Sequence, residues 1–222
     1  MTSRYCVVIP AFNAAETVAD IVRRVKGQGL PVLVVDDGSS DQTASLAAAE
    51  GAIVISHLRN QGKGSALRTG FNYALRSSYD GVVTMDSDGQ HDPGDIRRLI
   101  EAGERQHAGI VVGNRMANGP AMMPRGRRWA NQVMSRIVSS LSRQDIPDSQ
   151  CGFRLIRKEV LDSVPLSAKA FDIETEVLLA AAKRRWKTIS VPVQTIYARQ
   201  RSHIRPVRDG WRFLRMVIRY LR

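Results

Sequence analysis

The sequence predicts an α/β protein, a Rossmann-like, mostly parallel sheet with helices on both faces. Three observations carry that expectation. Short Val- and Ile-rich runs alternate with helical patterns along the chain. The runs are apolar throughout rather than at every second residue, which marks strands covered on both faces. Each run ends in polar or Gly-containing residues, the punctuation expected of turns.

Residues 5–9, 32–35, 52–55, 81–85 and 110–112 read as strands, because each is short, rich in β-branched residues and bounded by turn residues. Between the first two, Val18, Ile21, Val22 and Val25 recur at helical spacing, and Gly27 and Gly29 mark the stop. Residues 44–50, 65–76 and 93–106 read as further helices, with Pro93 suited to a first turn. The 222-residue length fits one large domain or two small ones. No linker, repeat or low-complexity stretch interrupts it, so the expectation is one domain over residues 1–205 and a basic appendage over 206–222.

Composition excludes several classes. The hydrophobic fraction of 43% and charged fraction of 24% are those of a globular chain, not a disordered one. Cys6 and Cys151 form no Cys-x-x-Cys pair and no disulfide framework, so two free thiols in a reducing compartment are expected. No apolar run is long enough to span a bilayer, and the first, ending at Pro10, is too short for a signal-peptide core.

The net charge is +12, and 27 of the 33 basic residues are Arg. Arg favours phosphate, through its planar fork of donors. Eight arginines against Asp209 alone lie between Ile196 and Arg222. Within that tail Val207, Trp211, Leu214, Ile218 and Leu221 form an apolar stripe bordered by Arg208, Arg212, Arg215, Arg219 and Arg222. The pattern suits a helix lying in the headgroups of an anionic leaflet. A second stripe, Trp129, Val133, Ile137 and Leu141, lies among Arg125, Arg127, Arg128 and Arg136, and docking on the protein's own core is the preferred reading there.

In open parallel sheets, ligands bind beyond the carboxyl ends of the strands. The polar residues that follow the strands should therefore converge on one crevice. In Asp86-Ser87-Asp88-Gly89-Gln90-His91, a continued strand would put both carboxylates on one side. So close a pair needs a cation, and hard oxygen donors select Mg²⁺ or Mn²⁺. A plain Asx turn fits the same residues.

Asp36-Asp37-Gly38-Ser39 precedes a helix and serves either as a cap or as a carboxylate contact to a base or ribose. Asn60-Gln61-Gly62-Lys63-Gly64 can present backbone N–H groups and a lysine to phosphate. It is neither a Walker A loop nor a dinucleotide fingerprint, since His57, Gly64 and Leu67 stand where those motifs need other residues. Four histidines show no metal-ligand spacing; most are expected at surfaces or in turns, while His91 and His203 lie inside motif regions.

In combination, Pro10-Ala11-Phe12-Asn13, Asp36-Asp37-Gly38-Ser39, Asn60-Gln61-Gly62-Lys63-Gly64, Asp86 to Pro93, Gly113-Asn114-Arg115 and Asp148 to Arg154 resemble family-2 glycosyltransferases. The nearest likeness is the dolichyl- or polyprenyl-phosphate mannose synthase branch, over roughly residues 5–205. The resemblance implies a GT-A fold, a nucleoside-diphosphate sugar donor of the GDP-mannose or UDP-glucose type, a divalent metal, and inversion at the anomeric carbon. It places Pro10, Phe12, Asn13, Asp36, Asp37 and Lys63 around the nucleotide, with Asp86 shared between donor and metal. Asp86, Asp88 and Gln90 match metal ligands, Arg115 faces donor phosphate or sugar, and Asp148 takes the acceptor-activating position. Arg201 and Ser202 would close over the diphosphate, and Arg125, Arg128 and Arg154 would meet a lipid-phosphate acceptor. Two departures stand out: Ala14 occupies a position where the family often has Glu, and Cys151 one where many relatives have Ser or Thr.

A phosphate acceptor is already largely ionised at neutral pH, since its second pKa is about 6. It therefore needs orientation more than deprotonation, whereas a hydroxyl needs a true base. The expectation is an enzyme at the cytoplasmic face of the inner membrane, peripherally bound, acting on a polyprenyl phosphate. Another lipid or a saccharide hydroxyl is the alternative acceptor. A nucleic-acid-binding module is disfavoured by the acidic crevice of Asp36, Asp37, Asp86 and Asp88 and by the few aromatics.

Overall fold

The computed structural model of the chain describes residues 4–117, 125–166 and 172–196, the side chains of residues 125 and 127 excepted. The tail over 206–222, with Arg201 and Ser202 before it, lies outside the described residues.

The described strands are β1 (Tyr5–Ala11), β2 (Val32–Asp36), β3 (Ile53–Ser56), β4 (Gly81–Thr84), β5 (Ile110–Asn114), β6 (Arg154–Arg157) and β7 (Thr188–Pro192). They form one sheet in the order β3-β2-β1-β4-β6-β5-β7. All pairings are parallel except those of β6, which runs antiparallel to both β4 and β5. The helices are α1 (Val18–Lys26), α2 (Thr43–Ala49), α3 (Lys63–Arg76), α4 (Ile96–Arg105), α5 (Arg125–Ser142), α6 (Lys158–Ser163) and α7 (Ile173–Lys183). Pro93 opens a 3₁₀ turn directly before α4.

Every residue of β1, β2 and β4 is buried, as the continuous apolar runs predict, but β3, at the edge of the sheet, is not covered on both faces and leaves Ile53 exposed. Pro10 sits in central strand β1 without breaking the sheet. Pairing with β4 ends at Val8 opposite Thr84, so the missing N–H falls beyond the ladder. On α1 the residues Val18, Ile21, Val22 and Val25 are the buried face, as their spacing requires. Cys6 and Cys151 are free and buried, and burial pushes their thiols up to about 11 and about 12.

Helix α5 corrects one expectation. Its buried residues are Asn131, Ser135, Val138 and Ser142, while Trp129 is 69% exposed and Ile137 is exposed. The apolar stripe is therefore split: Leu141 packs against the core and Val133 is half-buried, while Trp129 and Ile137 face outward. The polar side faces inward because it holds the next loop. Asn131 Nδ2 donates to Asp148 at 2.9 Å, and Ser135 Oγ accepts the Ser149 N–H at 2.9 Å.

Because β6 is reversed, its starting end lies beside the carboxyl ends of β4 and β5, with Arg154 opposite both Thr84 and Val112. Residues 148–153 are thereby delivered to the edge of the sheet where Asp86 and Arg115 emerge.

Candidate active site

Four loops and the first turn of α7 meet at this edge. Asp86 follows β4, and its carboxylate is bound to the Lys63 ammonium, Oδ1 to Nζ 2.6 Å. The same Nζ is 2.7 Å from Glu174 Oε1. His91 Nε2 stands 3.6 Å from Asp86 Oδ2. Burial alone would raise the Asp86 carboxyl, but the Lys63 charge, helped by His91, outweighs it and holds the group well below the usual range. Burial likewise opposes the charge on Lys63, and the two carboxylates more than compensate, so the ammonium is kept protonated. Gly152 makes this packing feasible. A Cβ there would lie 2.7 and 2.8 Å from the Asp86 oxygens and 2.8 Å from Glu174 Oε1.

Asp148 is a second, different carboxylate. It is fully buried, and four donors converge on it. Arg115 contributes its backbone N–H at 3.1 Å and Nε at 2.8 Å to Oδ2, and Nη2 at 2.9 Å to Oδ1; Asn131 supplies the fourth. Burial would raise this carboxyl, but Arg115 and Asn131 prevail and lower it. Four donors occupy the four lone-pair sites of the carboxylate, so in this arrangement Asp148 is the buried counter-ion of Arg115.

Arg154 is also corrected. Its guanidinium is buried and donates to three carbonyls, Cys151 at 2.7 Å, Ser149 at 2.6 Å and Glu174. It ties the 148–153 loop to α7 and has no face for a lipid phosphate. Arg128 lies exposed on α5, and the Arg125 side chain lies outside the described residues.

Asp36 and Asp37 are not helix caps, since α2 starts only at Thr43, where Asp41 meets the Thr43 N–H at 3.0 Å. Asp37 accepts from Gln61 N at 3.0 Å, Gly62 N at 2.7 Å and His57 Nδ1 at 2.7 Å. These loop N–H groups, expected to meet phosphate, are thus spent on Asp37. Gly38 lets the loop approach, as a Cβ would lie 2.5 Å from the Arg59 carbonyl carbon. Asp36 Oδ1 accepts the Ser39 N–H at 3.2 Å. Phe12 is 41% exposed beside Asn13, whose Oδ1 accepts the Ser40 N–H at 2.9 Å.

Asp88 and Gln90 lie half-buried after Asp86, with the Gln90 N–H on Asp88 Oδ1 at 3.0 Å. Among the described residues no three His, Cys, Asp or Glu side chains converge as a ready-made metal cage. Oxygen donors from two carboxylates and an amide fit Mg²⁺ or Mn²⁺, which complete their shells with substrate phosphate and water. Two histidines have defined partners in the site region. His91 is buried and stacked on Phe153 at 5.1 Å, and His57 bridges Asp37 and Thr69. Sequence patterns missed Glu174, whose partner Lys63 lies 111 residues away.

Sheet order and site together describe a GT-A glycosyltransferase, and comparison with known proteins agrees. The profile of Glycosyl transferase family 2 matches residues 6–164, and the chain belongs to that family. Glycosyltransferase AglJ of Haloferax volcanii is 33% identical over 92% of this chain and 68% of its own length. Polyprenol monophosphomannose synthase of Mycolicibacterium smegmatis is 32% identical over 86% of this chain and 77% of its own. Among solved structures, glucosyl-3-phosphoglycerate synthase from Mycobacterium tuberculosis, in complex with Mn²⁺, UDP and glucosyl-3-phosphoglycerate, shares the fold with a TM-score of 0.73. It is 21% identical, and the match covers 99% of this chain and 79% of that one.

Proposed function

We propose that this chain transfers one sugar, with inversion, from a nucleoside-diphosphate sugar of the GDP-mannose or UDP-glucose type to a polyprenyl phosphate. The observation that carries the choice of acceptor is the saturation of Asp148 by Arg115 and Asn131. An acceptor that arrives already charged does not need that carboxylate as a base. The naming of relatives as polyprenol monophosphomannose synthase and undecaprenyl-phosphate mannosyltransferase supports the same class.

In this reading Asp86, Asp88 and Gln90 would hold Mg²⁺ or Mn²⁺, a choice supported by the Mn²⁺ and UDP bound together in the structural neighbour. The ion, when bound, neutralises charge on the departing diphosphate. The protein's own residues do the rest. Lys63 supplies a permanent positive charge at the diphosphate, and Arg201 and Ser202 close on it. Phe12, with Pro10, Asn13, Asp36 and Asp37 behind it, forms the nucleotide wall. Arg115, pinned along one edge by Asp148, offers its remaining donors to the donor phosphate or sugar. Arg125 and Arg128 would guide the lipid phosphate, and the exposed Trp129 and Ile137, with the basic 206–222 segment, would rest on the anionic cytoplasmic leaflet.

The test is a screen of nucleotide sugars against undecaprenyl phosphate and undecaprenol, with Mn²⁺, Mg²⁺ or chelator. Transfer to the phosphate alone, abolished by chelator, is expected. Transfer to the alcohol at a comparable rate overturns the acceptor assignment.

A further inference from the structure

Glu174 has no part in the assignments above, yet it is built into the crevice. Its side chain is 9% exposed and its Oε1 shares the Lys63 ammonium with Asp86. Its backbone is fixed by the buried Arg154 guanidinium. Both carboxylates crowd one point, the missing Cβ of Gly152. A divalent ion that binds Asp86 must compete with the ammonium already there. A buried ammonium that loses its single counter-ion pays heavily in desolvation, so a lone Lys63–Asp86 pair would resist the exchange.

We infer that Glu174 is a positioning residue that keeps hold of Lys63 when a divalent cation takes Asp86. The exchange then leaves no buried charge unpaired. This rests on the metal-dependent reading of the site.

Mn²⁺ titrated into the full chain, with free Mn²⁺ read by electron paramagnetic resonance and UDP or GDP present in separate arms, tests it. Glu174→Gln should weaken Mn²⁺ binding by about 10–100-fold. In a Lys63→Gln background the same substitution should change the affinity by less than about twofold, because its effect runs through the lysine. Equal weakening in both backgrounds would mean a simple loss of negative charge, and overturns the inference. A crystal of the unmodified protein with Mn²⁺ and nucleotide needs no variant to fold. Lys63 Nζ should remain on Glu174 Oε1 and be gone from Asp86, and the opposite arrangement also overturns it. If the unmodified protein binds no Mn²⁺ in either arm, the metal-dependent reading itself falls.

Discussion

Asp86 and Asp148 are both carboxylates paired with a cation at one edge of the same sheet, and they are built for opposite purposes. Asp148 is sealed, and its partner is a planar fork that grips both oxygens. Asp86 is 26% exposed, and its partner is a point charge on a flexible stem, already shared with a second anion. The first arrangement fixes a loop, whereas the second can change partners.

The largest test of this contrast is Asp148→Asn. Removing the charge strands Arg115 in a buried place, so urea unfolding should show a loss of about 3–5 kcal/mol. A variant as stable as the parent, but inactive, would return Asp148 to a chemical role. Asp86→Asn should do the reverse. Lys63 keeps Glu174, so the midpoint of unfolding should move little, while initial rates with Mn²⁺ fall by about 10²–10³-fold. Gly152→Ala should disturb both properties, since its methyl group lands among the oxygens of Asp86 and Glu174. A loss of about 1–3 kcal/mol in the same unfolding assay is expected, with weakened Mn²⁺ binding.

The smallest effect is on acid stability. The Asp148 carboxyl is lowered in the folded state, so its stabilisation is complete above the unfolded value of about 4. It is lost as pH falls through the lower folded value. Urea midpoints followed from about pH 6 to about pH 3 should therefore fall less steeply in Asp148→Asn than in the parent.

What could be read in the sequence was whatever repeats locally. Strands β1 to β5 and helices α1 to α4 announced themselves by unbroken apolar runs and by helical spacing. Strand β6 did not, because it is four residues long and begins and ends with Arg. Nor did α7, whose buried residues run from Ile173 to Ala181 without a polar face to create a period. The crevice was legible as a place, because Asp86 and Arg115 each follow a strand that ends there, whereas Asp148 was placed only by the family resemblance. Their bonding was not, since it depends on pairs such as Lys63 and Glu174 that only the reversed strand and α7 bring together. Glu174 also hides among Asp172 and Glu176 at a helix start, where acids are expected simply to offset the helix dipole.

The position of β5 bears on how the nascent chain matures. Both its sheet neighbours, β6 and β7, come later in the sequence. The β1–β4 half can pair as it leaves the ribosome, but Val111 and Val112 must wait, and such non-local pairing is slow. A pause or truncation upstream of β7 leaves an apolar strand edge open to neighbouring chains, and an early-stopped product should be found in aggregates.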